Sequence, residues 1–158
     1  MDYQLKGRLA YVSAGAHGIG EAIADLLTQE GAEVIVADAD AEVLGQKAGK
    51  WRGTVAADLA TAAGVEKATS YALEQFGRAP DILINNLGVG NSMPFEDISD
   101  ETWAQSFQVN LMGTVRTCRA LVPKMAARGQ GSVVNTGSDL AKQPEPGFME
   151  YGSCKAGL

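Results

Sequence analysis

The chain has 158 residues, 46% of them hydrophobic, which is one domain's worth and enough to bury a core. Its formal net charge of -6 argues against nucleic acid and anionic membrane as partners. The two cysteines, Cys118 and Cys154, form neither a disulfide framework nor a metal spacing, and the single histidine, His17, excludes a His-rich metal site. A Ser-His-Asp triad would have to recruit His17 from a glycine-rich turn. No apolar run approaches the roughly 20 residues of a membrane span, and MDYQLKGR at the N-terminus has no signal-peptide core. The expectation is a reduced, cytoplasmic protein.

RLAYVS reads as a strand that runs into Gly15, Gly18 and Gly20, then into an amphipathic helix from about Gly18 to Gln29, closed by Gly31. A strand, a tight turn and a helix whose first N–H groups point at an anion make a nucleotide site. AEVIVAD is a near-continuous buried strand ending at Asp38, followed by a weaker helix in AEVLGQKAGK. GTVAAD precedes a helix from about Thr61 to Phe76, stopped by Gly77 and Pro80, and DILIN is the next strand. Asp100 is expected to cap one long helix through Trp103, Phe107, Leu111, Val115 and Leu121, ending near Gly129. GSVVNTGS reads as a fifth strand closed by Ser138, and the loop KQPEPGF leads to a last helix opening at about Glu150. Strands buried on both faces and joined by helices of this length predict an α/β fold: a doubly wound parallel sheet, five strands in the order 3-2-1-4-5, in a single domain over residues 1–158.

Several positions carry chemistry. Asp38 lies eighteen residues after Gly20, where a carboxylate accepts both ribose hydroxyls of an adenosine and repels a 2′-phosphate. The next residues are Ala39 and Asp40, with no Arg or Lys, so NAD is favoured over NADP; the plainer reading is that Asp38 caps a helix. Tyr151 and Lys155, four residues apart, share one face of the last helix. A free tyrosine is a poor proton donor or acceptor at neutrality, and an ammonium one turn away favours the phenolate. Ser138 stands thirteen residues before Tyr151 at the carboxyl end of a strand, where such sheets bind ligands; otherwise it is a hydroxyl capping a turn. Asn110 is a poor helix former inside the long helix, which points to a hydrogen bond with backbone or water.

The run Ser13-Ala14-x-x-x-Gly18-Ile19-Gly20 resembles the T-G-x-x-x-G-I-G turn of the classical short-chain dehydrogenases/reductases, with Ser for Thr and Ala14 for the first Gly. An alanine serves there only if its φ stays negative. Asp58-Leu59 after the third strand is similar to the family's Asp and apolar residue around the adenine. Asn85-Asn86-Leu87-Gly88 is similar to its N-N-A-G, with the bulk of Leu87 placed where the adenosine-ribose half should rest. The resemblance covers the whole chain and implies a Rossmann fold whose cofactor residues are Ser13, Ala14, Gly15, His17, Gly18, Ile19, Gly20, Asp38, Asp58, Leu59, Asn86 and Gly88, with Tyr151 and Lys155. A basic residue at the place of His17 often helps hold a 2′-phosphate in NADP-using relatives, which tempers the NAD preference slightly.

The resemblance also implies a reaction: NAD(H)-dependent interconversion of a small-molecule alcohol and its ketone or aldehyde. Ser138 would polarise the substrate oxygen and Tyr151 would pass the proton. Lys155 would hold the nicotinamide ribose and assist Tyr151, and Asn110 would anchor a relay water. The family's matching helices build a dimer interface, so a homodimer or homotetramer is expected, with Val109, Met112 and Val115 at the contact. In that family the sixth and seventh strands and the substrate lid lie beyond the point where this chain stops. The chain is therefore expected to be the ordered part of a longer protein or to have negligible activity. The alternatives are a non-catalytic NAD-binding module and an incomplete fragment of such an enzyme.

Overall fold

The computed structural model describes residues 3–158; Met1 and Asp2, which begin the N-terminal segment read above, lie outside the described residues. The apolar runs form strands Leu9–Ser13 (β1), Glu33–Asp38 (β2), Gly53–Ala56 (β3), Ile82–Asn85 (β4) and Ser132–Asn135 (β5). They pair in parallel, in the order β3-β2-β1-β4-β5. Between them run helices Gly18–Gln29 (α1), Ala41–Gln46 (α2), Ala62–Phe76 (α3), Asp100–Phe107 (α4), Gly113–Ala126 (α5) and Met149–Ala156 (α6). No helix among the described residues is long and apolar enough to cross a membrane.

Side chains alternate across each strand and so feed two cores. Leu9, Tyr11, Ile35 and Leu83 pack with Val65, Ala68, Leu121 and Met125, from α3 and α5. Ala10, Val12, Val34 and Val36 pack on the other face with Ala24 and Leu44, from α1 and α2. The central strand β1 is buried at all five positions, pairing Tyr11 with Ile35 on one side and Leu83 on the other. Strand β5 departs from the expected burial on both faces. All four of its residues are exposed, Val133 by 42% and Val134 by 50%, because β4 is its only partner strand among the described residues.

The expected single long helix is interrupted. Ser99, not Asp100, caps α4, its Oγ accepting from Thr102 N at 3.2 Å. A π-helical turn over Gln108–Met112 then separates α4 from α5. A π turn holds more residues than an α turn and rotates everything after it. The stripe read at i, i+4 therefore does not form one core face: Phe107 is 39% exposed and Trp103, Leu111 and Val115 are only half-buried. Asn110, Thr114, Thr117, Leu121 and Met125 face inward instead.

At the amino end of the sheet, Asp81 sits just before β4 with 5% of its surface exposed. Its carboxylate accepts from Arg78 at 2.8 and 2.9 Å, from Arg128 at 3.0 Å and from the backbone N of Leu9 at 2.9 Å. The Arg78 guanidinium, followed by the Leu9 N–H and Arg128, holds this carboxyl far below the usual carboxylate range. One side chain thus ties the starts of β1 and β4 to the end of α5.

Candidate functional site

The site lies at the opposite, carboxyl end of the strands. Ser13 ends β1 with its hydroxyl donating to Ile84 O (3.3 Å) and accepting from Asn86 N (2.9 Å). Asn86 also donates from Nδ2 to Ala14 O (3.1 Å), and its Oδ1 accepts from the Thr136 hydroxyl (3.1 Å). One asparagine therefore joins the glycine turn, the end of β4 and the end of β5. Ala14 has φ +50°, which overturns the expectation of a negative value. The turn imposes the left-handed conformation that a glycine adopts without cost, and the alanine carries the strain. Gly20 is required by contact: a Cβ there would lie 2.1 Å from Ala14 O and 2.6 Å from Asn86 Nδ2.

Helix α1 then opens without a side-chain cap, whereas Asp40, Thr61 and Ser99 cap α2, α3 and α4. The space over Gly18 is open and Ile19 is exposed beside it. Uncapped N–H groups at a clear helix N-terminus suit a phosphate, so these residues fit the pyrophosphate of a dinucleotide. Gly15 presses against Val36 and reaches back to Ala37 O through its N–H.

Asp38 ends β2 half-buried, accepting from Ala16 N (2.9 Å) and Asp40 N (3.1 Å). It shapes the turn as well as the rim of the groove. Asp40, not Asp38, caps the next helix, and its Oδ2 lies 3.0 Å from the exposed His17 Nε2. No cation directly follows Asp38 in sequence, but α2 returns Lys47 to the turn, where Nζ donates to Ala16 O (2.5 Å) and pairs with Glu21 (2.6 Å). Lys47 and Lys50 pull the Glu21 carboxyl down to about 2. Lys47 was invisible to a reading of the residues next to Asp38.

Asp58 is exposed two residues beyond β3, its Oδ1 accepting from Ala60 N. Leu59 is not at the surface with it: the side chain enters the core, which leaves Asp58 alone exposed at this strand end. Leu87 also departs from expectation. Its side chain packs with the core, where a Cβ on Gly113 would lie 2.6 Å from Leu87 Cδ2, so it does not fill the groove. The absent side chain of Gly113 makes the room.

Tyr151 and Lys155 stand on one face of α6, with Lys155 Nζ 5.8 Å from the Tyr151 ring centre. Lys155 is buried, and Nζ donates to Thr136 O (2.9 Å) and Leu87 O (3.2 Å) at the ends of β5 and β4. Burial pushes the ammonium below the usual lysine value. Glycine at 88 lets the lysine in, since a Cβ there would lie 2.9 Å from Nζ; a Cβ at Gly90 would likewise lie 3.1 Å from the Tyr151 ring. Asn110, fully buried on the π turn, donates to Val89 O (2.9 Å) and Ser106 Oγ (3.1 Å) and accepts from Val89 N (2.8 Å). Both its N–H donors are used, leaving one lone pair on Oδ1 for a water. Val89, Thr136 and Ser106 were not foreseen as parts of this frame.

Ser138 is three residues beyond the observed end of β5. It caps a short 3-10 turn over Asp139–Ala141, accepting from Leu140 N and donating to Asp139 Oδ1, both at 3.2 Å. No hydrogen bond joins it to Tyr151 among the described residues. The structure thus brings Lys155 close to Tyr151, Gly88 and the Val89–Asn110 pair, while Ser138 makes its hydrogen bonds within its own turn.

Known proteins share this fold. The chain is 36% identical over 162 residues to an uncharacterized oxidoreductase of Bacillus subtilis, covering 100% of this chain and 61% of that protein. It is 35% identical to D-threitol dehydrogenase of Mycolicibacterium smegmatis, covering 99% of this chain and 62% of the relative. Among solved structures, L-sorbose reductase of Gluconobacter frateurii, complexed with NADPH and L-sorbose, superposes with a TM-score of 0.94 at 34% identity, over 100% of this chain and 62% of that one. The 3-ketoacyl-(acyl-carrier-protein) reductase of Brucella melitensis, complexed with NADH, gives a TM-score of 0.89 at 31% identity, over 96% and 66%. The chain therefore spans about three-fifths of the length of the curated relatives it matches. The short chain dehydrogenase profile matches residues 8–158, and the chain belongs to that family.

Proposed function

We propose that this chain is the cofactor-binding and acid/base part of an NAD(H)-dependent dehydrogenase that interconverts an alcohol and its ketone or aldehyde. The observation that carries the reading is the placement of Lys155, buried between the carbonyls of Leu87 and Thr136, one helical turn from Tyr151. When bound, the nicotinamide supplies or accepts the hydride. Tyr151 gives the proton to the nascent alkoxide in reduction and removes the hydroxyl proton in oxidation. Lys155 holds the nicotinamide ribose with the donor its two carbonyls leave free. Ser138 turns its hydroxyl from Asp139 to the substrate oxygen, and Asn110 fixes the Val89 peptide and offers its last lone pair to a relay water.

The preference for NAD over NADP rests on the Asp38 carboxylate at the adenosine end, with Lys47 engaged by Glu21 rather than free. The half-buried Val109, Met112 and Val115 support self-association as a homodimer or homotetramer, which light scattering at micromolar concentration would read as a mass above 16.5 kDa and a monomer would contradict.

The decisive variant is Tyr151→Phe, placed in a protein that joins this chain to the remaining two-fifths of the relatives' length. Turnover should fall by about 10²-fold or more with NADH affinity nearly unchanged. Retention of more than about a tenth of the activity would remove Tyr151 from the acid/base role.

A further inference from the structure

A cavity of about 170 Å³ opens between α4, the π turn, the loop after β4 and the start of α6. Glu150 forms part of its wall with 5% of its surface exposed, and its Oε2 is enclosed without a hydrogen-bond partner. Among the described residues, no lysine or arginine lines the cavity. Lys155, the nearest cation along α6, is committed to Leu87 O and Thr136 O. A buried carboxylate oxygen without a partner is strongly unfavourable, so it marks a place where something else supplies the partner.

The rest of the wall indicates what that partner is. Val89, Met93 and Val109 give an apolar surface, while Asn91, Thr102, Gln105, Ser106 and Asn110 bring neutral polar side chains. A divalent metal is a poor match, because no group of three or more His, Cys, Asp or Glu that could hold one exists among the described residues. A primary ammonium on a short alkyl stem matches each feature: three N–H donors for one carboxylate oxygen and its neutral neighbours, and a stem for the apolar side. The volume is on the order of ten water-sized spaces, enough for several heavy atoms. We propose that this cavity, which shares Val89, Ser106 and Asn110 with the frame beside Tyr151, takes a primary alkylammonium ligand that pairs with Glu150. Glu150 directly precedes Tyr151, so an occupant bears on the helix that carries Tyr151 and Lys155. The proposal does not rest on the dehydrogenase reading, since its test reads binding and not turnover.

The test is a titration of the ¹⁵N-labelled chain with n-propylammonium chloride, against 1-propanol and against potassium chloride at matched ionic strength. Propylammonium should give saturable shifts at the amides of Val89, Val109 and Glu150, with 1-propanol and potassium weaker by about tenfold or more. Glu150→Gln, which keeps the size of the side chain, should weaken propylammonium by about tenfold or more while the chain still melts cooperatively. Should that variant not fold, the propanol comparison on the unaltered chain decides alone. Equal binding of propanol or potassium, unchanged affinity in folded Glu150→Gln, or no saturation by about 50 mM would overturn the assignment. Dissociation of a dimer on adding the amine would also overturn it, by seating a lysine of a second copy in the cavity.

Discussion

The two ends of the sheet share β1 and β4 and treat their polar groups in opposite ways. At the amino end, Asp81 is met by Arg78, Arg128 and the Leu9 N–H. At the carboxyl end, α1 starts uncapped, Asn85 Oδ1 and Glu150 Oε2 have no partner, and Ala14 is held at φ +50°. Lys155 is also buried there, where desolvation opposes its charge. The amino end is complete as it stands and holds the fold. The carboxyl end is left with unmatched polar groups, and its strain is borne by the matched end and the two cores.

The comparison breaks most readily at its stable end. Asp81→Ala leaves two arginines without their carboxylate and an unpaired Leu9 N–H, and should cost about 3 kcal/mol, or roughly 6–12 °C in melting temperature. NADH affinity should stay within about twofold, because the cofactor groove is at the other end of the strands. A loss of affinity equal to the loss of stability would show that the two ends are not independent. Asp81 also sets an acid limit. Its folded-state pKa is depressed, so its contribution is full above the ordinary carboxylate value of about 3.9 and is lost as pH falls below that. Thermal melts from about pH 6 to pH 2 should show a steep fall that Asp81→Ala flattens. The opposite end gives a smaller effect of opposite sign. Ala14→Gly relieves the left-handed alanine and should raise stability by about 1 kcal/mol, read as a rise of roughly 3 °C. A fall in melting temperature would mean that Ala14 does not hold a positive φ.

What the sequence made legible was local. The helix from Gly18 to Gln29, the carboxylate at Asp38 and the shared face of Tyr151 and Lys155 follow from period and spacing within one element, and the strand order follows from the alternation of buried strands and helices. The hydrogen bond expected of Asn110 is also there, to the Val89 peptide and Ser106. The remainder depends on neighbours far along the chain. The sign of φ at Ala14 is set by the closure of the turn, and the π turn at Gln108–Met112 has no simple periodic signature. The side chain of Leu87 is directed by the room that Gly113 leaves, twenty-six residues later. Lys47 reaches the turn only because α2 folds back over it.

On the proposed reading, the carboxyl end of this sheet takes a nicotinamide dinucleotide and Asp38 selects which one. Calorimetric titration of the chain with NADH and NADPH, repeated on Asp38→Ala, tests both parts at once. The account predicts saturable binding of NADH at least about tenfold tighter than NADPH, with the gap narrowed in Asp38→Ala. Equal affinities, tighter NADPH, or no binding of either dinucleotide would contradict it.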